Sequence, residues 1–225
     1  MRPTILLDLD GTLIDSQPGI IASCEATLRA LGHAGEPQDI RRYIGPPLEE
    51  MITSLLRARG DDRVEEGVAA YRRYYGETGL YDAEAYPGIP DALKSLADMG
   101  ARLFVATSKR RDFAARILDN IKLAAFFDGV YGSIPGGALD HKPDLLAHIL
   151  AEQTISPEDA IMVGDRRYDI AGARANSMRS LGVLWGYGAR EELEAAGADG
   201  LVNQPSDLAE AVFSALELAA GKKSR

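Results

Sequence analysis

Two carboxylates placed two residues apart are the side chains of this sequence best suited to chemistry. The segment Asp8-Leu9-Asp10-Gly11-Thr12 directly follows the apolar run Ile5-Leu6-Leu7, which predicts a buried strand. Because residues two apart on an extended chain share a face, Asp8 and Asp10 could bind one ligand if that geometry lasts. Asp, Gly and Thr are also ordinary turn residues, so this motif predicts a site only if the rest of the chain agrees.

Two further groups carry side chains that suit phosphate. Thr107-Ser108-Lys109 lies just past an apolar run, where a hydroxyl and backbone amides at a strand-to-helix turn could hold a phosphate. A plain helix cap would use the same residue types. Lys142 precedes a helical pattern that carries Leu146 and Leu150, and a lysine in such a turn is commonly just solvated.

A second acidic motif, Gly164-Asp165-Arg166-Arg167-Tyr168-Asp169, follows the apolar run Ile161-Met162-Val163. Asp165 stands immediately after a predicted buried strand, as Asp8 does. An acidic residue in the first turn of a helix also suits the helix dipole, so a purely structural role is the alternative.

Short apolar runs alternate with helical patterns along the chain, which predicts a parallel sheet flanked by helices on both faces. The predicted strands are Ile5 to Leu7, Leu103 to Ala106, Val130 to Tyr131, Ile161 to Val163 and Leu181 to Leu184. Ligands of open α/β sheets bind outside the carboxyl ends of the strands. All four groups described above would therefore meet in one cleft.

The stretch from residue 17 to residue 86 has a different character, with helical periodicity and no convincing strand. Ile20, Cys24 and Leu28 fall on one helical face, and Met51 with Leu55 suggests another. We therefore expect an inserted helical domain over 17–86, with 1–16 and 87–225 forming the α/β core.

Composition excludes several classes of partner. The 225 residues include 34 acidic and 25 basic side chains, a net charge of −9, which repels nucleic-acid backbones and anionic membranes. Cys24 is the only cysteine, so a disulfide framework and a thiolate metal cluster are excluded. The N-terminal apolar run ends at Asp8, too short for a signal peptide or a membrane span, and predicts a cytoplasmic protein.

Taken in order, these motifs resemble those of the haloacid dehalogenase superfamily over essentially the whole chain. The matching positions are Asp8-x-Asp10-Gly11-Thr12, Thr107 or Ser108, Lys142 and Gly164-Asp165-x-x-x-Asp169. The resemblance implies a Rossmann-like core with strand order 3-2-1-4-5, or an extension of it, and a helical cap inserted after the first motif.

The resemblance also implies a metal site. A divalent cation would offset the repulsion between a phosphate dianion and an attacking carboxylate, and Mg²⁺ prefers oxygen ligands. Asp8 and Asp165 would supply carboxylates. The family adds the backbone carbonyl of Asp10, with Asp169 as a ligand or as a support of the ligands.

The remaining catalytic roles follow the same resemblance. Asp8 would be the nucleophile that forms an aspartyl-phosphate, and Asp10 would protonate the leaving alkoxide and later accept a proton from water. Lys142 would offset charge at Asp8 and the phosphoryl oxygens. Thr107 and the Ser108 amide would hold the phosphoryl group.

Substrate choice would lie in the cap. The loop that begins at Ile44-Gly45 resembles one that related caps project toward the active site, with Arg41 and Arg42 just ahead of it. A rigid turn with two solvated arginines is the alternative. Tyrosines of this region could stack on a nucleobase, although tyrosines at helical spacing more often pack.

We expect a Mg²⁺-dependent phosphatase of small phosphorylated metabolites, similar to the phosphoglycolate phosphatase group. Two segments of this chain, 163–166 (Val-Gly-Asp-Arg) and 182–188 (Gly-Val-Leu-Trp-Gly-Tyr-Gly), resemble a subset of that group for which nucleoside 5′-monophosphates are credible substrates. Phosphoglycolate is the alternative substrate. Asp10 argues against a dehalogenase, Thr12 against a sugar-phosphate mutase, and the lack of lysine over 17–86 against a phosphonate-cleaving enzyme. A non-catalytic phospholigand sensor stays open, and the oligomeric state is not predicted.

Overall fold

The structure is a computed structural model that describes residues 2–33, 40–134 and 139–222. The chain divides into two compact units, one formed by Met1–Ile14 with Ala85–Arg225 and the other by Asp15–Glu84. The first unit contains a six-stranded sheet and the second is mainly helical. Among the described residues, no helix combines the length and the apolar character needed to cross a membrane.

The strands are β1 (Thr4–Leu7), β2 (Ile14–Asp15), β3 (Glu84–Ala85), β4 (Arg102–Arg110), β5 (Gly129–Ser133), β6 (Ala160–Gly164), β7 (Arg179–Val183) and β8 (Gly200–Val202). The large sheet has the order β5-β4-β1-β6-β7-β8, and its neighbouring strands are all parallel. Counted within this sheet the order is 3-2-1-4-5-6. The prediction of a Rossmann-like parallel sheet is therefore confirmed, in its extended form.

The helices of the first unit are α4 (Ile89–Asp98), α5 (Arg111–Asn120), α6 (Lys142–Glu152), α7 (Arg167–Ala175), α8 (Arg190–Ala196) and α9 (Leu208–Lys222). Leu6 of β1 packs with residues of α6 and α7 in one buried cluster. Its neighbours Ile5 and Leu7 are also fully buried and point to the opposite face of the sheet. Both faces are therefore covered, which explains why these strands are continuous apolar runs.

The strands differ from the sequence prediction in three ways. The edge strand β8 was missed, because three residues that include a glycine carry little pattern. β2 and β3, which pair in a separate two-stranded sheet, were also missed, and β3 lies inside the segment expected to lack strands. β4 continues to Arg110, so Thr107-Ser108-Lys109 lies within the strand and not in a turn after it.

The extension of β4 has a local cause. Its pairing with β5 shifts register between Thr107 and Arg110, and Gly132 of β5 lies against the Lys109 carbonyl where a Cβ would overlap it. A glycine at this position therefore allows the bulged strand to pass closely.

The helical unit contains α1 (Gln17–Ala30), α2 (Leu48–Arg57) and α3 (Val64–Glu77), with short 3₁₀ helices at Ile40–Tyr43 and Gly79–Tyr81. α3 packs against both α1 and α2. Glycines permit two close contacts in this unit. A Cβ at Gly67 of α3 would press on Ile52 of α2, and one at Gly19 of α1 would overlap the carbonyl of Gly79 in the second 3₁₀ helix.

Candidate active site

The first acidic motif and the second meet because their strands are neighbours. β1 pairs with β6 on one side and β4 on the other, with Leu7 opposite Val163 and Val105. The backbone N–H of Asp8 donates to the Val163 carbonyl at 2.9 Å, so the chain stays paired as it leaves β1. Asp8 and Asp165 therefore emerge side by side at the carboxyl edge of the sheet.

Lys142, the first residue of α6, is a buried cation surrounded by oxygen atoms. Its Nζ lies 3.0 Å from Asp8 Oδ1 and 2.7 Å from Asp169 Oδ1, and it donates to the Ala106 carbonyl at 2.7 Å. Burial alone would lower the pKa of Lys142, but the charges of Asp169 and Asp8 outweigh it and raise that pKa. The alternative of a solvated lysine is therefore wrong.

Three carboxylates converge beside this lysine. Asp8, Asp165 and Asp169 each offer an oxygen, and these oxygens lie within 4.8 Å of one another. Burial, partly offset by Lys142 and reinforced by Asp169 and Asp10, raises the pKa of Asp8 to about 7. Burial, with repulsion from Asp169 and Asp8, also raises the pKa of Asp165 well above its usual value.

Such a cluster fits a hard divalent cation. Carboxylate oxygens are ligands that Mg²⁺ prefers, and a cation would relieve the repulsion that raises the two pKa values. Lys142 supplies a single positive charge beside three closely placed acids, of which Asp165 and Asp169 are buried and Asp8 is partly exposed, so a further cation would offset the remaining negative charge of the described cluster. The residues present thus fit the magnesium site that the sequence predicts.

Asp165 is held on both of its oxygens by neutral donors. The Thr12 hydroxyl donates to Oδ1 at 3.3 Å, and the backbone N–H of Tyr187 donates to Oδ2 at 2.8 Å. The Trp185 indole N–H in turn donates to the Thr12 carbonyl at 2.9 Å. Trp185 therefore supports the acidic cluster with its side chain, and Tyr187 supports it with its backbone.

Asp169 reaches the site from the first turn of α7. Its Oδ1 lies next to Lys142, and its Oδ2 accepts the backbone N–H of Arg166 at 3.1 Å. A Cβ at Gly164 would overlap the Asp169 carboxyl group, so only glycine allows β6 to pass so close. Asp169 therefore serves both as a helix cap and as part of the acidic cluster.

Asp10 has a partner that sequence reasoning did not assign. Lys109 Nζ lies 2.5 Å from Asp10 Oδ1, and the two side chains are 9% and 20% exposed. Lys109 was visible in the sequence only as the third residue of a phosphate-binding motif. The contact depends on the irregular end of β4, and residue types alone do not indicate that irregularity, so the sequence carries no signal for this pairing.

The predicted phosphate-binding residues lie on the same edge of the sheet as Asp8. Thr107 is buried, and its Oγ1 accepts the backbone N–H of Lys109 at 3.1 Å. Ser108 is partly exposed. Their role toward a phosphate stays a prediction.

The residues proposed for substrate choice belong to the helical unit. Arg41 is exposed in the 3₁₀ helix Ile40–Tyr43, Ile44 is buried, and Gly45 has a φ of +127°. The side chain of Arg42 lies outside the described part of the chain. Tyr71 and Tyr75 are buried with stacked rings, their centroids 5.4 Å apart, which is the packing role expected at helical spacing.

Comparison with known families finds one match that covers most of the chain. The model described as haloacid dehalogenase-like hydrolase matches residues 5–183. This range contains the acidic motifs, Lys142 and most of the sheet.

Two relatives are similar over nearly their whole length. A 5′-nucleotidase of Pseudomonas aeruginosa is 39% identical over 86% of this chain and 87% of its own. A phosphoglycolate phosphatase of Aquifex aeolicus is 35% identical over 91% of this chain and 93% of its own.

Two solved structures share the whole fold. A predicted phosphatase from Clostridium acetobutylicum is 37% identical, with a TM-score of 0.88 over 95% of this chain and 99% of that one. Protein tyrosine kinase A of Mycobacterium tuberculosis is 35% identical, with a TM-score of 0.79 over 94% of this chain and 98% of that one. Proteins named for different phosphoryl-transfer activities therefore have this same architecture.

Proposed function

We propose, since this chain belongs to the haloacid dehalogenase-like hydrolase family, that it hydrolyses small phosphate monoesters through an aspartyl-phosphate on Asp8. It is a phosphoric monoester hydrolase of that family. The observation that carries the mechanism is the contact of Asp8 with Lys142 inside a cluster of three acids, two of them buried. A nucleophilic carboxylate needs such cationic surroundings to approach a phosphate dianion.

The metal site of this proposal consists of the carboxylates of Asp8, Asp165 and Asp169 with the backbone carbonyl of Asp10. When bound there, Mg²⁺ supplies the positive charge that offsets repulsion between Asp8 and the phosphoryl oxygens. Asp169 either ligates directly or holds Lys142 in place.

The chain's own residues then divide the reaction into two steps. A carboxylate oxygen of Asp8 attacks phosphorus, the bond from phosphorus to the alkoxide oxygen breaks, and Asp10 gives its proton to that oxygen. In the second step water attacks the phosphorus and gives a proton to Asp10. Phosphate leaves, and the Asp8 carboxylate is restored.

Other side chains hold the phosphoryl group during both steps. The Thr107 hydroxyl and the Ser108 amide would donate to its oxygens, while Lys142 offsets their charge. In this proposal residues 1–16 and 87–225 form the catalytic core. Residues 17–86 act as a cap that excludes water and reads the rest of the substrate, with Arg41, Arg42, Ile44 and Gly45 as the candidate reading residues.

The substrate class we favour is nucleoside 5′-monophosphates. The 5′-nucleotidase of P. aeruginosa, at 39% identity, supports this choice over phosphoglycolate, which the A. aeolicus relative supports at 35%. Thr12 disfavours the alternative of a sugar-phosphate phosphomutase. A sensor without turnover is disfavoured because Asp8, Asp10, Lys142 and Asp165 are all retained.

The first test measures phosphate release with Mg²⁺ from nucleoside 5′-monophosphates, 2-phosphoglycolate and sugar phosphates, and compares kcat/KM. A nucleotide preference supports the 5′-nucleotidase proposal, and a phosphoglycolate preference replaces it with the alternative. Interconversion of sugar phosphates without phosphate release would identify a mutase. Transfer from ATP to a tyrosine peptide would identify a kinase, and binding of phosphates without turnover of any kind would identify a sensor.

The second test addresses the nucleophile. Asp8→Asn should abolish turnover, because the amide is a poor nucleophile and cannot form the acyl phosphate, while circular dichroism should show an intact fold. Asp98→Asn, which changes an exposed carboxylate on α4, is the matched control and should keep full activity. Substantial Mg²⁺-dependent turnover by the Asp8→Asn variant contradicts the mechanism.

A further inference from the structure

A closed ring of contacts surrounds the Asp165 carboxylate. The Trp185 indole donates to the Thr12 carbonyl, the Thr12 hydroxyl donates to Asp165, and Asp165 also accepts the amide of Tyr187, two residues from Trp185. We call the segment Trp185–Gly188 the indole loop. The ring joins the turn after β1 to the loop after β7, and both hold one carboxylate.

The packing of the indole loop leaves this carboxylate little freedom. A Cβ at Gly186 would overlap the Gly11 carbonyl, and one at Gly188 would overlap the Asp165 carbonyl. A Cβ at Gly11 would overlap the Asp165 carboxylate itself. Backbone thus approaches Asp165 from both sides at distances that only glycine permits.

The physical need for such a support is repulsion. Asp165 is fully buried and shares its surroundings with Asp8 and Asp169, whose charges oppose its own. Without a cation, repulsion among these three carboxylates favours movement of the flexible side chains away from one another. Neutral donors on both oxygens of Asp165 resist that movement without adding a cation that would compete with the metal.

We propose that Trp185 is a positioning residue for the metal site, acting through Thr12 to hold Asp165 in its ligating orientation. This inference rests on the proposed function, because it takes Asp165 as a metal ligand. Trp185 does not itself touch the acidic cluster through any hydrogen bond that the structure describes; its indole reaches the cluster through the Thr12 carbonyl.

The test measures Mg²⁺ binding by calorimetry in the absence of substrate. Trp185→Phe keeps an aromatic ring but loses the N–H donor, and should raise the Kd for Mg²⁺ about tenfold, the lower end of the effect of supporting groups. Ser95→Ala is the matched control. It removes a hydroxyl bond of 2.9 Å to the Asp91 carbonyl on α4 and should leave the Kd unchanged.

A double-mutant cycle separates positioning from general destabilisation. Thr12→Val should also weaken Mg²⁺ binding, and adding Trp185→Phe to it should weaken binding little further, because both act through one ring. Thermal unfolding is measured for each variant. A lower Tm with an unchanged Kd would assign Trp185 a purely structural role and overturn the proposal.

Fluorescence of the wild-type protein provides a measurement that needs no variant. Trp185 is the only tryptophan, so its emission should change on addition of Mg²⁺ with the same Kd as calorimetry. No change at saturation contradicts the proposal. If the Asp165→Asn variant binds Mg²⁺ as tightly as the wild type, the proposed metal site is wrong. If the Asp165→Asn variant loses Mg²⁺ binding but the Trp185→Phe variant binds normally, only the positioning role of Trp185 is rejected.

Discussion

Lys109 Nζ lies 2.5 Å from Asp10 Oδ1, beside but separate from the contact of Lys142 with Asp8. Each of the two aspartates of the first motif therefore has its own lysine. The two lysines come from different elements, the end of β4 and the start of α6. This arrangement keeps the proposed nucleophile and the proposed acid/base group apart, although only one residue separates them in the chain.

Removing the Lys109 charge should impair turnover. Lys109→Met leaves the Asp10 carboxylate without its close cation, and we expect kcat/KM to fall about tenfold, or about 1.4 kcal/mol of transition-state stabilisation. Lys94→Met is the matched control, since Lys94 pairs with Asp98 at the same 2.5 Å but both are exposed. Equal activity of the Lys109→Met variant and the wild type would show that Asp10 works without this partner.

Filling the space at Gly186 should damage the site more than the fold. Gly186→Ala forces a Cβ onto the Gly11 carbonyl and Asp165, and a displacement of about 1 Å there should lower kcat/KM roughly 100-fold. Gly100→Ala is the contrasting variant: its φ is +82° but a Cβ meets open space. It should cost about 1–2 kcal/mol of stability and leave kcat/KM unchanged.

Cys24 should be unreactive in the native protein. Burial, which has the larger effect, and the charge of Glu25 raise the pKa of its thiol to about 12. Almost no thiolate therefore forms at about pH 8. Labelling with a thiol reagent should therefore be slow and should accelerate with urea as the helical unit opens. Because Cys24 is the only cysteine, rapid labelling without denaturant would show that α1 is not packed as described.

Acid should destabilise the helical unit through Asp61. The Arg63 guanidinium, at 2.6 Å, and the His33 ring, also at 2.6 Å, hold the pKa of Asp61 below its usual range. A lowered pKa contributes stability above the unfolded value of about 3.9, and this contribution is lost as pH falls through the folded pKa. Urea unfolding of the wild type should therefore lose more stability between about pH 5 and pH 2 than that of Asp61→Asn. Equal losses of stability in the wild type and the Asp61→Asn variant would mean that groups other than Asp61 determine the response to acid.

Much of the fold could be predicted because the buried strands of a parallel sheet are short apolar runs. β1 and β6 were visible as Ile5-Leu6-Leu7 and Ile161-Met162-Val163, each followed at once or after one glycine by an acid. β8 was missed because an edge strand of three residues has no such run. The bulged end of β4 was missed because its extension depends on contact with Gly132, which is distant in sequence.

The acidic cluster was predictable for the same reason, since parallel strands bring their carboxyl ends together. The contacts around it were not. The pairing of Lys109 with Asp10 and the bond from Trp185 to Thr12 join residues far apart in the chain, and either side chain would also suit a solvated or packed position. Only the three-dimensional contacts distinguish these cases.

The pairing of β2 with β3 has a consequence for how this protein could change. The two passages of the chain between the units, Ile14–Asp15 and Glu84–Ala85, lie in one two-stranded sheet, so they run about 5 Å apart. A gene that lost or exchanged the intervening codons would leave two chain ends that a short linker could join. The helical unit is therefore a segment that could be replaced without changing the order of the strands in the sheet that carries the acids.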